Sequence, residues 1–142
     1  MTKPEDKEVQ ILGVDTNGEM VAPMVKRQLG LFQGIVGGLI EPLSTKDWTM
    51  YINEEGKIYN LPMNEIATMI ALKHKLISPH DAIVGNVFFV GPVNAHGYDT
   101  SLKESTLNRL ISEGVYFKQI VDRYYETRFD SIVSSLQTEE ME

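Results

Sequence analysis

The chain has 142 residues, of which 42% are hydrophobic and 23% charged, with no cysteine and a formal net charge of -7. This composition fits one globular domain with a real core. It excludes a disulfide framework, a thiolate metal site and a cysteine nucleophile, and the acidity argues against a basic nucleic-acid footprint. No apolar run approaches the roughly 18 residues of a membrane-spanning helix. The acidity lies partly in the terminal stretches, with Glu5, Asp6, Glu8, Glu139, Glu140 and Glu142, and reads as solubility rather than DNA mimicry. Met1 to Glu8 carries mixed charge with no apolar segment behind it, so it is not a signal peptide, and a cytoplasmic location is expected.

Residues 1–8 read as a frayed tail. Val9 to Val14 reads as a strand, and Asn17-Gly18 as the turn of a hairpin that returns over Met20 to Val25, with Pro23 marking an edge or bulge. Leu29, Phe32, Ile35 and Val36 then fall at helical spacing, and Gly37-Gly38 closes that helix. Leu39 to Leu43 is a further strand. The stretch from Trp48 to Asn64 predicts a β-hairpin, two aromatic and β-branched runs around Asn53-Glu54-Glu55-Gly56, ended by Pro62. Asn64 caps a helix to Ile77, since Ile66, Met69, Ile70 and Lys73 share a face and Pro79 blocks continuation.

Ala82 to Val90 is nearly continuously apolar and reads as a central buried strand. Ser101-x-x-Glu104 has the pattern of a capping box opening a helix that buries Leu102, Leu107, Leu110 and Ile111 and stops at Gly114. A second helical pattern runs from Tyr116 to Leu136. The expected fold is α+β, a mostly antiparallel sheet with helices packed on one face, comprising a core domain over 9–114 and a helical C-terminal extension over 115–142.

Three blocks carry a family resemblance. Gly34-Ile35-Val36-Gly37-Gly38 runs into Leu39-Ile40-Glu41; Met50 to Lys57 leads through Leu61-Pro62-Met63-Asn64; and Asp81 to Val87 follows. In combination, over roughly Val9 to Ile111, they resemble the small proteins of domain-of-unknown-function family 3846, found widely in phages, plasmids and other mobile elements. The resemblance implies a small α+β fold and a mobile-element origin, and it brings no catalytic residues. The segment from Val115 onward lies outside the family pattern.

Asn53, Glu54, Glu55, Asn64, Asp81 and Asn86 are the polar residues embedded in those blocks. They either line a shared pocket or serve turns, caps and strand ends, and the second reading is preferred. Glu54 and Glu55, adjacent at a turn tip, make a poor acid/base pair. His74, His80 and His96 lack the face-sharing spacing of a zinc helix, so no metal and no cofactor is expected, and His74 reads as part of a solvated face. The glycine run ends a helix instead of opening one and is no phosphate loop.

The aromatic stripe of the C-terminal helix packs on the domain's own core or, alternatively, on a second copy or partner. The function expected from these residues and the resemblance is a non-enzymatic phage or mobile-element protein that docks on a host protein or defence component and self-associates through its C-terminal helices. The alternative is a small-ligand binder holding a nucleotide-type signalling molecule between protomers, with Arg27, Arg109, Arg123 or Arg128 pairing phosphates.

Overall fold

The apolar run Val87–Val90 (β7) is fully buried on both sides, which places it at the centre of the sheet. The computed structural model describes residues 7–141, with side chains described to residue 137. Before β7 come Glu8–Gln10 (β1), Leu12–Val14 (β2), Met20–Val21 (β3), Met24–Lys26 (β4), the helix Leu29–Val36 (α1), Ile40–Ser44 (β5), Thr49–Asn53 (β6) and the helix Glu65–Lys73 (α2). The helix Glu104–Met141 (α3) follows it. The main sheet has the order β3-β2-β7-β6-β5, β1 and β4 form a separate two-stranded ribbon, and every pairing is antiparallel. The α+β class is thus as expected. Residues 1–6 of the expected tail lie outside the described residues, whereas Glu8 already pairs with Lys26 in the ribbon.

Alternation along the strands divides the core into two layers. Val87 and Phe89 of β7 join Leu12, Val14, Trp48 and Met50 under α2 and the first part of α3, where Ile66, Ile70, Leu102 and Leu110 close the layer. Phe88 and Val90 point the other way, onto Phe32 and Val36 of α1 with Val9, Ile11 and Tyr51. The expectation of helices on one face therefore holds for α2 and α3, while α1 covers the opposite face. Phe88 sits 4.9 Å from the Phe32 ring and 5.3 Å from the Tyr51 ring.

Local signals were obeyed where the backbone alone decides them. Asp15 Oδ1 accepts from the N–H groups of Asn17 and Glu19, Gly18 takes φ 81°, and β2 returns as β3. Gly37 ends α1 at φ 81°, its N–H bonding Gln33 O at 2.8 Å. Pro23, which has no N–H to give a ladder, separates β3 from β4, and the expected strand over Val9 to Val14 breaks correspondingly at Ile11.

Four expectations require correction. The hairpin expected over Trp48 to Asn64 is absent: β6 instead pairs with the preceding β5, from Ile40↔Asn53 to Ser44↔Thr49, around a turn at Thr45 to Trp48. β7 occupies the other edge of β6, so residues 57–60 have no ladder to join and coil into successive turns with Ile58 and Tyr59 exposed. The strand expected over Ala82 to Val90 is confined to its second half, because Gly85 at φ 81° kinks the chain and only a bridge from Val84 to Met63 precedes it.

The capping box does not form. Ser101 Oγ accepts from Gln10 N, Leu102 N donates to Gln10 O, and α3 starts only at Glu104. Nor does Gly114 stop the helix. It packs closely against the body, where a Cβ would stand 2.6 Å from Met20 Sδ, and α3 runs through it as one helix of 38 residues.

Candidate functional site

Two regions gather chemistry. The first is a cleft of about 420 Å³ at the end of β6, walled by β5, the turns after Asn53 and the segment from Leu76 to Val84. Asn53, Glu54 and Asp81 line it as the shared-pocket reading required, together with Glu41, Lys57 and Ser78. Glu55, Asn64 and Asn86 do not line it. Lys57 donates to the Asp81 carboxylate, and this bond with the Ala82 N–H holds the Asp81 carboxyl below its usual range.

The sign follows from that direction. Asp81 contributes stability above its unfolded value of about 3.9, and loses it as the pH falls through the lower folded value. The pair is solvent-exposed, so the contribution is under about 1 kcal/mol. Urea unfolding of Asp81→Asn should show a small deficit at pH 7 that vanishes near pH 2; an equal deficit at both would assign the loss to the Ala82 contact instead of the charge.

The embedded asparagines serve the scaffold. Asn53 is buried, donating to Val36 O at 3.1 Å and accepting from Glu55 N at 2.8 Å, which ties the end of β6 to the end of α1. Asn64, the N-cap of α2, accepts from Ala67 N at 3.0 Å. Its amide also donates to Val14 O and Gly85 O, both at 3.0 Å, so one fully buried side chain joins α2, β2 and the approach to β7. Asn86 is exposed and receives Thr16 N at 3.3 Å. Among the described residues no group of histidines and carboxylates could hold a metal ion. His74 departs from the solvated face expected of it: its ring stands edge-on to Trp48 at 5.1 Å and meets Glu113 at 3.3 Å.

The second region is the outer face of α2 and α3. Glu113, largely buried, meets Lys73 and His74 at the end of α2, whereas Tyr125 donates to Glu65 in its first turn. The two helices therefore run antiparallel, and α3 continues past the start of α2. The Glu65 carboxylate pushes the Tyr125 phenol above its ordinary value. Phe117 and Val121 pack on the core as expected, but Tyr116, Ile120 and Tyr124 stay partly exposed. With Met63, Met69 and Leu72 they flank two apolar hollows of about 310 and 520 Å³. Further along, Tyr125, Phe129, Ile132 and Leu136 are all at least half exposed, so the core-packing reading of the C-terminal stripe fails beyond Val121. The helical period made these residues visible in the sequence, but it carries no information on where the body underneath them ends.

The arginines are dispersed. Arg109 lies 3.9 Å from Asp47, and Arg123 follows 14 residues later, about 21 Å along the helix axis. Arg123 and Arg128 are both exposed on α3. No helix among the described residues is long and apolar enough to cross a membrane. In comparisons with known proteins, one family model, described as Domain of unknown function (DUF3846), matches residues 7–114. No curated protein and no solved structure matches the chain.

Proposed function

This chain belongs to the DUF3846 family, and we propose that it is a non-enzymatic accessory protein of a phage or mobile element, acting by docking on a host protein or defence component. The observation that carries this reading is the face where Tyr116, Ile120 and Tyr124 of α3 stand partly exposed beside Met63, Met69 and Leu72. Tyrosine and methionine are residues that make protein interfaces: large apolar area, with a polar tip or an adaptable chain. The body supplies a rigid sheet and α2 supplies the floor. The nucleotide-binder alternative draws less support, because none of its arginines lines the cleft or the two apolar hollows.

The test is capture from a host lysate with the intact chain and with Ile120→Arg, followed by reconstitution with the purified candidate. The expected result is a specific protein bound in fixed stoichiometry by the intact chain and bound at least tenfold more weakly by the variant, whose circular dichroism is unchanged. Equal capture by both, or no specific capture by the intact chain, overturns the reading.

A further inference from the structure

The cleft at the end of β6 combines an apolar floor with a carboxylate rim. Leu43, Ile52, Leu76 and Ile77 line it and also pack on the core. Glu41 stands opposite Ile52 in the β5–β6 register, hence on the same face of the sheet, and Glu54 and Asp81 add to the rim. Glu41 and Glu54 are exposed, and no hydrogen bond or ion pair holds either carboxylate among the described residues. Asp81 receives Lys57 and the Ala82 N–H on one oxygen, Oδ1, which leaves Oδ2 without a donor among those residues. Three carboxylates against the Lys57 ammonium leave the lining with a balance of -2.

We infer that this cleft binds a linear aliphatic polyamine, its ammonium groups on the rim and its methylene chain along the floor. The negative balance fixes the sign of the ligand. A bare metal ion is not that ligand, because no group of carboxylates and histidines among the described residues converges to hold one. The positive charge must therefore be spread along a chain, and an apolar floor suits methylenes. Lys57 already supplies the pattern, an ammonium on an aliphatic stem meeting Asp81 at the cleft wall. The volume of about 420 Å³ also falls within the range of small-molecule sites, roughly 300–1,000 Å³.

A peptide strand added to the edge of β5 is the competing occupant, and the ladder opposes it. Glu54 N donates to Leu39 O and Thr45 N to Trp48 O, so residues 41 and 43 bond β6 while 40, 42 and 44 face outward. Pro42 is then the central outward position, and it has no N–H to give a new strand.

Affinity resting on exposed ion pairs is modest and falls as salt screens them. The cleft is separate from the proposed host-docking face, so each can fail without the other. The test is an NMR titration of the isotope-labelled full chain with spermidine at low ionic strength. Hexaamminecobalt(III), which carries the same charge without a chain, is titrated beside it. Spermidine should shift the amide signals of residues 41–43, 52–58 and 76–84 saturably, with Kd below about 1 mM. The cobalt complex, having no methylenes for the floor, should bind there about tenfold more weakly. Glu41→Gln combined with Glu54→Gln, both exposed and unbonded, should weaken spermidine about fivefold. Lys57→Gln should tighten it about twofold by releasing Asp81. Shifts that do not saturate, or equal binding of the cobalt complex, reduce the cleft to diffuse charge attraction and overturn the proposal. Unchanged affinity in the double variant, or weaker binding by Lys57→Gln, overturns it as well.

Discussion

Replacing Asn64 by leucine is expected to lower stability by about 4 kcal/mol, measured as the shift in the urea unfolding midpoint at constant slope. Leucine keeps the branched skeleton of four side-chain heavy atoms and removes all three hydrogen bonds. Val14 O, Gly85 O and Ala67 N are then left without the side chain that satisfies them. Each orphaned buried group costs about 1–3 kcal/mol, whereas loss of a helix cap alone costs about 1. The magnitude therefore decides between two roles. A loss near 1 kcal/mol would make Asn64 a cap and nothing more; a loss near 4 makes it the joint between α2 and the sheet. Every buried side-chain nitrogen and oxygen among the described residues has a partner, so the wild-type chain offers no spare donor to take its place.

Phe88→Ala is expected to cost about 3–5 kcal/mol, because it opens a cavity in a fully buried, central position. The ring is held between Phe32 and Tyr51, and without it α1 loses its main anchor on that face of the sheet. A second readout locates the damage. Burial, followed by the hydrogen bond to Asp99, pushes the Tyr51 phenol well above its ordinary value. Spectroscopic titration of the variant should show that phenol ionising at lower pH as water reaches it. If stability fell by this much while the Tyr51 titration stayed unchanged, the cavity would have collapsed locally, leaving the α1 layer in place. With typical domains stable by only 5–15 kcal/mol, either substitution is a large fraction of the total.

Legibility in the sequence followed the range of the interaction that decides each element. The Asn17-Gly18 turn, the Gly37 cap and the Asn64 cap are settled within a few residues, and all three could be read directly. The segment after Asn53 could not, because its alternation of Lys57, Ile58, Tyr59 and Asn60 fits a strand whose ladder positions β5 and β7 already fill. Ser101 shows the same limit. Its hydroxyl suits a capping box, yet it meets Gln10, 91 residues away, and the helix begins later.

Gly114 meets the same limit: glycine ends helices, but it also lets a helix approach its neighbour, and Met20 decides which. The candidate cleft was half visible, through Asn53, Glu54 and Asp81. Glu41 and Ser78 reach it only because β5 and the segment after α2 fold onto the same edge. The buried role of Asn64 beyond its cap had no local signal at all.

The passage of α3 through Gly114 without a break has a mechanical consequence. A continuous helix resists bending over a few turns, so the far end of α3 works as a lever with its fulcrum on α2, and its rise of about 1.5 Å per residue sets the arm length. Any load applied near Leu136 is delivered as torque at the Tyr125–Glu65 contact and the Glu113 cluster, instead of being absorbed by a slack joint. The three aromatic, ionic and apolar footholds along α2 then determine how stiffly the chain holds whatever sits at its tip.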